Sequence, residues 1–237
     1  MSVKYRIKSF LRGCVQRAGL NLSHHIPLAR ALKANGITTV FDIGANKGQF
    51  GSELRRDGYL GKIISFEPIV AAHAVLSRRA RVDKSWHVHE RCAIGAHDDS
   101  IMINVSKNSG SSSILPMLIN HTSSAPDSMY THKEAVQQIR FDNVFLSYLD
   151  PHERFFLKID TQGYEKEVIQ GAVEALKLVT GLQMEISFFE LYENQPSYKY
   201  FLEWAETNDF YIWSIHDGFS DLLVSKTLQA DICFFRK

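Results

Sequence analysis

Short apolar runs alternate with amphipathic segments along most of the chain. The apolar runs have the length of buried strands, and the amphipathic segments have the period of helices. This alternation predicts an α/β fold with a mostly parallel central sheet and helices on both faces. The predicted strands are Thr38–Asp42, Lys62–Glu67, Trp86–Ala93, Phe155–Ile159, Leu182–Ile186, Tyr211–Ile215 and Ile232–Phe235. The predicted helices are Pro27–Ala34, Gln49–Arg56, Val70–Arg79, Tyr164–Leu176 and Ser197–Thr207. No helical pattern separates the last two strands, which predicts an antiparallel C-terminal strand.

The beginning of the chain has a different pattern. Residues 3–19 carry apolar side chains at helical spacing and lysine and arginine along one edge. We predict an N-terminal helical segment, residues 1–36, that packs on a main domain of residues 37–237. The basic edge leaves weak contact with a membrane surface open as an alternative.

A second segment interrupts the alternation inside the main domain. We predict an inserted loop region at about residues 95–140, with an edge strand at Ile101–Val105. Its central part is rich in serine, asparagine and glycine and offers few apolar contacts. We therefore expect residues 106–130 to be mobile and to close over a ligand as a lid.

Composition places the chain among ordinary globular proteins. Its 237 residues suit one large domain, and 45% of them are hydrophobic and 22% charged. The formal net charge of +1 provides no global field to collect nucleic acid, so we expect no nucleic-acid partner. Three scattered cysteines and the lack of a long apolar run or signal-peptide pattern favour a cytoplasmic location.

The first predicted strand runs into a turn that suits a nucleotide-type ligand. In this turn Asp42 precedes Gly44, Asn46 and Gly48, and a helix follows. Gly44 lets a ligand approach the backbone, and Gly48 permits a tight entry into the helix. An acidic Asp42 would repel a pyrophosphate and would favour a ligand that carries an ammonium group. The spacing also differs from both the dinucleotide G-x-G-x-x-G pattern and the P-loop.

The second and third strands supply the rest of a nucleoside site. Glu67, followed by Pro68, ends the second strand on the order of twenty residues after the glycine turn, the offset of carboxylates that bind ribose. Ala93, at the end of the third strand, is placed to meet the adenine. Together with the preference for an ammonium group, this pattern predicts S-adenosyl-L-methionine as the cofactor.

At this point the sequence resembles the FkbM family of methyltransferases. The resemblance is carried by Phe41–Gly48, Phe66–Pro68, Ala93–Gly95 and above all Phe156–Glu165, and it extends over about residues 38–215. It implies a Rossmann-like class I methyltransferase fold and O-methylation of sugars or other hydroxylated natural products. One departure is Gln162, where the family commonly has glutamate, so an acid's role at this position does not carry over.

Three residues are candidates for the chemistry of methyl transfer. An alcohol acceptor needs a general base, and Asp160 follows the fourth core strand, where it could serve as that base or orient the cofactor's ammonium group. Glu185 and His216, near the ends of later strands, are further candidates. Asp160 with Glu185, or the histidines near His87, could hold a divalent ion, but the spacing lacks a tight ligand pattern and we predict no metal.

The predicted function is therefore an S-adenosylmethionine-dependent O-methyltransferase with a small-molecule or glycan acceptor. Two alternatives stay open. One is an NAD-dependent oxidoreductase, which fits the sheet and Glu67 but not the acidic turn. The other is a nucleoside-binding module without catalytic activity.

Overall fold

A computed structural model describes residues 27–221 and 223–236. The helix predicted at residues 3–19 lies outside the described residues. Within them, no helix has both the length and the apolar character needed to cross a membrane.

Twelve strands are formed by the described part of the chain. They are β1 (Thr39–Ile43), β2 (Lys62–Phe66), β3 (Trp86–Val88), β4 (Ala93–Gly95), β5 (Asp99–Ser106), β6 (Tyr130–Arg140), β7 (Phe155–Ile159), β8 (Val179–Ser187), β9 (Phe210–Asp217), β10 (Ser220–Asp221), β11 (Lys226–Thr227) and β12 (Gln229–Arg236). The α-helices of the same residues are α1 (Leu28–Ala34), α2 (Gln49–Arg56), α3 (Val70–Ala80), α4 (Ile119–Ser124), α5 (Phe141–Phe145), α6 (Glu165–Gln170), α7 (Val173–Leu178) and α8 (Tyr198–Thr207).

Seven of these strands form the central sheet, in the order β3-β2-β1-β7-β8-β12-β9. The pairs from β3 to β8 are parallel, whereas β12 is antiparallel to both β8 and β9. This confirms the predicted mostly parallel sheet with an antiparallel C-terminal strand. The crossover helices cover both faces, as such a sheet requires.

The alternation of side chains along each strand builds one apolar layer on each face of the sheet. On one face, Leu32 of α1, Leu54 of α2 and Leu76 of α3 pack over Val40 and Phe156. On the other face, helices α5 to α8 pack over side chains such as Phe41 and Leu157. Every residue of β1 is buried, which is the pattern expected of a central parallel strand.

The register of the sheet brings polar side chains together on the face of α1 to α3. Asp42 of β1 lies beside Lys158 of β7, and Lys158 lies beside Gln183 of β8. Closer to the end of the sheet, Glu185 lies beside Asp231, which lies beside His216. Neighbours in register point to the same face, so charged groups that are distant in sequence meet at one edge.

The predicted third strand, Trp86–Ala93, is too long. The chain leaves the central sheet after Val88, and Ala93–Gly95 pairs with β6 in a second sheet of order β4-β6-β5. The predicted inserted loop region at 95–140 is accordingly wrong in part, because β5 and β6 form an antiparallel pair there. The strand predicted at Ile101–Val105 is confirmed, but as the edge of this second sheet.

The predicted helix Tyr164–Leu176 is two helices, α6 and α7. The break falls at Gly171, where a Cβ would lie 1.9 Å from the Gly95 carbonyl oxygen. The backbone N–H of Asp142 also donates to the Gly171 carbonyl at 2.9 Å. The helix therefore ends where the second sheet and α5 pack against its backbone.

Candidate active site

A cavity of about 590 Å³ opens at the carboxyl ends of β1, β2 and β7. This is the position at which open α/β sheets bind ligands. Seven of the sequence-predicted site residues line it: Gly44, Asn46, Glu67, Pro68, Ala93, Asp160 and His216. Asp42, Gly48 and Glu185 do not reach its wall.

The glycine turn after β1 requires glycine at two positions, for different reasons. Gly44 has a φ of +76°, and a Cβ there would lie 1.8 Å from the carbonyl oxygen of Asp160. The close approach that we predicted for a ligand is thus made by the end of β7. Gly48 has a φ of +81° at the start of α2, and a Cβ there would lie 2.9 Å from Leu76 and 3.1 Å from Trp86, which agrees with the predicted tight entry into the helix.

Glu67 ends β2 with its carboxylate in the cavity. Its Oε2 accepts the Asn46 backbone N–H at 2.7 Å, and its Oε1 accepts the Ile69 backbone N–H at 2.9 Å. These bonds fix the carboxylate between two turns and leave further acceptor sites on each oxygen. Burial raises the pKa of Glu67 to about 7, despite the opposing effect of the two N–H groups.

We predicted that Asp42 would face the ligand, but in the structure it does not line the cavity. Its side chain is fully buried and lies 3.2 Å from the Lys158 ammonium, and Ser65 donates to its other oxygen at 3.3 Å. Burial raises the pKa of Asp42, while the charge of Lys158 opposes the shift. Asp42 therefore acts on the site through Lys158.

Lys158 joins the ends of β1 and β7. Its Nζ lies 3.2 Å from Asp42 Oδ1 and 3.2 Å from Asp160 Oδ2, and it donates to the Gly44 carbonyl at 3.1 Å. Burial disfavours the ammonium, but the two carboxylates outweigh it and raise the pKa of Lys158. A single ammonium thus forms ion pairs with both carboxylates and a hydrogen bond with one backbone carbonyl.

Our sequence reasoning did not identify Lys158 as a site residue. The sequence does contain a signal for it. Lys158 lies in an otherwise apolar strand, two residues before Asp160, so the two side chains must point to the same face of the sheet. A lysine buried there needs carboxylate partners.

The three candidate bases differ in their access to the cavity. Asp160 is about one-third exposed and lines it, as does His216, whose Nε2 lies 2.8 Å from the Ser214 hydroxyl. Glu185 lies behind Gln162, whose Nε2 donates to its Oε2 at 2.6 Å. Burial is the main reason why the pKa of Glu185 is raised well above its usual value. The nearby charges of Asp160 and Asp231 raise it further.

Part of the insertion covers the cavity. Ser109, Gly110, Ser112 and Ile114 contribute to its lining. Ser109 donates to Asn46 Oδ1 at 3.0 Å, and Ser113 donates to the Gln162 carbonyl at 2.7 Å. The serine-rich tract thus contacts both the glycine turn and the turn after β7 through polar bonds, which apolar patterning does not reveal.

Residues 42–211 match the family model described as the methyltransferase FkbM domain. The chain belongs to the FkbM methyltransferase family. The match covers the glycine turn, Glu67 and the segment from Lys158 to Glu185, so most of the cavity lining lies within the matched residues. The resemblance recognised in the sequence is thereby confirmed.

Solved structures with a similar fold include the following two. A methyltransferase FkbM from Methylobacillus flagellatus KT superposes with a TM-score of 0.54 at 15% identity, over 84% of this chain and 44% of that one. The FkbM chain described here thus spans less than half the length of that relative. A provisionally assigned O-methyltransferase from Klebsiella pneumoniae gives a TM-score of 0.51 at 10% identity, over 97% of this chain and 89% of that one. A search of curated proteins found no match.

Proposed function

We propose that this FkbM-family protein transfers a methyl group from S-adenosylmethionine to the hydroxyl of a sugar, glycan or related natural product. The observation that carries the proposal is the Glu67 carboxylate in the cavity, held by two backbone N–H groups with acceptor sites to spare. Such a group suits the two hydroxyls of a ribose. The cavity volume of about 590 Å³ has room for a nucleoside cofactor and part of an acceptor.

The charge of the cavity also supports this cofactor. Among its described lining residues, six are acidic, whereas the basic ones are Lys158 and His216. The acidic residues are Glu53, Asp57, Glu67, Asp160, Asp217 and Asp231. S-adenosylmethionine carries a sulfonium and an ammonium, which this wall attracts, whereas the pyrophosphate of NAD would be repelled. This disfavours the oxidoreductase alternative.

When bound, S-adenosylmethionine supplies an electrophilic methyl group for in-line displacement by the acceptor oxygen. The protein must hold the acceptor in line with that methyl group, and positioning of this kind lowers the barrier by several kcal/mol. Asp160 is our first candidate to act near the reacting atoms, as the base that takes the hydroxyl proton or as the partner of the cofactor's ammonium group. His216 is the other candidate base on the cavity wall.

Substitution of Asp160 separates these roles. As a general base, Asp160→Asn should lower turnover by at least about 100-fold, with little change in S-adenosylmethionine affinity. The measurement is S-adenosylhomocysteine formation with a panel of alkyl glycosides, with alkyl amines as comparison acceptors. Asp99→Asn, an exposed substitution on β5, is the control and should match the wild type.

The outcomes divide the alternatives. A loss confined to affinity would assign Asp160 to the ammonium group, and normal turnover with normal affinity would remove it from the mechanism. Faster reaction with amines than with glycosides would contradict O-methylation. Binding of the cofactor without any turnover would favour a non-catalytic nucleoside-binding module.

A further inference from the structure

Gln162 lies in a strained turn directly after the cavity residue Asp160. Its φ of +55° is in the left-handed region, which is costly for a residue other than glycine and persists only where the surroundings enforce it. Its side chain is buried. Hydrogen bonds with Asp160, Glu185 and Tyr192 hold its side chain, so the strain is a feature of the site rather than of a free loop.

The side-chain amide of Gln162 bridges two carboxylates. Nε2 donates to Asp160 Oδ1 at 2.8 Å and to Glu185 Oε2 at 2.6 Å. These bonds use both hydrogens of the amide. Two carboxylates this close would otherwise repel each other, and the shared donor stabilises them side by side.

Tyr192 contacts the oxygen side of the same amide. Its hydroxyl donates to Gln162 Oε1 at 2.8 Å, and the tyrosine is fully buried. Burial raises the pKa of Tyr192 well above its usual value, so the hydroxyl keeps its proton and remains a donor. If the amide rotated by half a turn, its oxygen would face the two carboxylates, which would cost both hydrogen bonds that Nε2 donates.

Asp160 is consequently held on both of its oxygens. Gln162 holds Oδ1, and the Lys158 ammonium lies 3.2 Å from Oδ2. Each oxygen retains a further acceptor site. The direction in which Asp160 presents those sites is therefore set by Gln162 and Lys158 together.

We propose that Gln162 is a positioning residue for methyl transfer: its amide joins Asp160 and Glu185 into one oriented carboxylate pair, and Tyr192 keeps the amide in the bridging orientation. This role rests on the function proposed above. Although the family commonly has glutamate at this position, the bridge seen in this chain requires an amide, because a carboxylate of the same shape has no donor and a protonated carboxyl group has only one.

Gln162→Glu tests this requirement with almost no change in shape. At pH 8 the new carboxylate faces Asp160 and Glu185, and we expect kcat to fall at least about ten-fold while KM for S-adenosylmethionine stays within about three-fold. Toward pH 6 one carboxyl group of the three regains a proton and restores a hydrogen bond, so the deficit relative to wild type should shrink. The assay is S-adenosylhomocysteine formation with the alkyl glycoside panel, and Gln170→Glu, exposed on α6, is the matched control.

Tyr192→Phe provides an independent test if Gln162→Glu does not fold. Loss of the hydroxyl frees the amide to rotate, so kcat should fall without the pH dependence seen in Gln162→Glu. Tyr211→Phe, on the exposed part of β9, is its control. The role of Gln162 is overturned if the kcat of Gln162→Glu equals that of wild type, or is lower by the same factor at pH 6 and pH 8. It is also overturned if the kcat of Tyr192→Phe equals that of its control. A wild-type protein that forms no S-adenosylhomocysteine overturns the proposed function itself.

Discussion

Single residues show both what the amino-acid pattern reveals and where it stops. Glu67 was placed at a strand end by its offset from the glycine turn, and the structure puts its carboxylate in the cavity. Gly44 was also recognised as a position that needs glycine, but for a different reason. The atom that a Cβ would meet is the carbonyl oxygen of Asp160, 1.8 Å away. Only the paired strands β1 and β7 bring these residues together, so periodicity along one segment could not reveal the contact.

Gly44→Ala should therefore destabilise the fold and not only weaken ligand binding. The new Cβ would force β1 and β7 apart where Lys158 joins them, in addition to the cost of a positive φ. Gly58 is the matched control, because its φ is +88° and nothing lies within 4 Å of a Cβ there. We expect Gly58→Ala to cost about 1–2 kcal/mol of unfolding free energy and Gly44→Ala at least about 3 kcal/mol, measured by chemical denaturation. Equal costs would mean that the close approach to Asp160 is not tight.

At the scale of elements, strands and helices with strong periodicity were predictable and the insertion was not. The strand Phe155–Ile159 and the helix Gln49–Arg56 have the predicted bounds. The insertion was predicted as a loop because its serine-rich tract has no apolar period. In the structure β5 and β6 pair with each other, and polar bonds from Ser109 and Ser113 attach the tract to the cavity.

These bonds bear on the expectation that residues 106–130 act as a lid. If the segment opens and closes, its amide hydrogens should exchange more slowly when S-adenosylhomocysteine is bound. Ser113→Ala removes the bond to Gln162 and should speed exchange in the ligand-free protein by several-fold, the effect of losing about 1 kcal/mol. Ser123→Ala, an exposed substitution in the same segment, should not. Equal exchange with and without ligand would contradict a lid.

At the scale of the whole molecule, the register of the central sheet creates the site. It places Asp42 beside Lys158, and Glu185 beside Asp231, which lies beside His216, although these residues are far apart in sequence. Sequence spacing identified most of them as candidates. It could not show that Asp42 pairs with Lys158 or that Glu185 lies behind Gln162, because both facts depend on the order and register of the strands in the sheet.

The central claim is that the cavity at this edge binds S-adenosylmethionine through Glu67. Hydroxyl donors bind the ionised carboxylate best, and the pKa of Glu67 is about 7 in the ligand-free protein. Affinity should therefore increase several-fold as the pH rises from 6 to 8. This pH dependence should be smaller in Glu67→Gln, whose amide does not titrate over that range.

Isothermal titration calorimetry with S-adenosylhomocysteine and NAD measures this directly. For the wild type, the account predicts one S-adenosylhomocysteine per chain, tighter binding at pH 8 than at pH 6, and no comparable binding of NAD. For Glu67→Ala, it predicts affinity weaker by about 1–3 kcal/mol. Unchanged affinity in Glu67→Ala, or tighter binding of NAD than of S-adenosylhomocysteine, would contradict it.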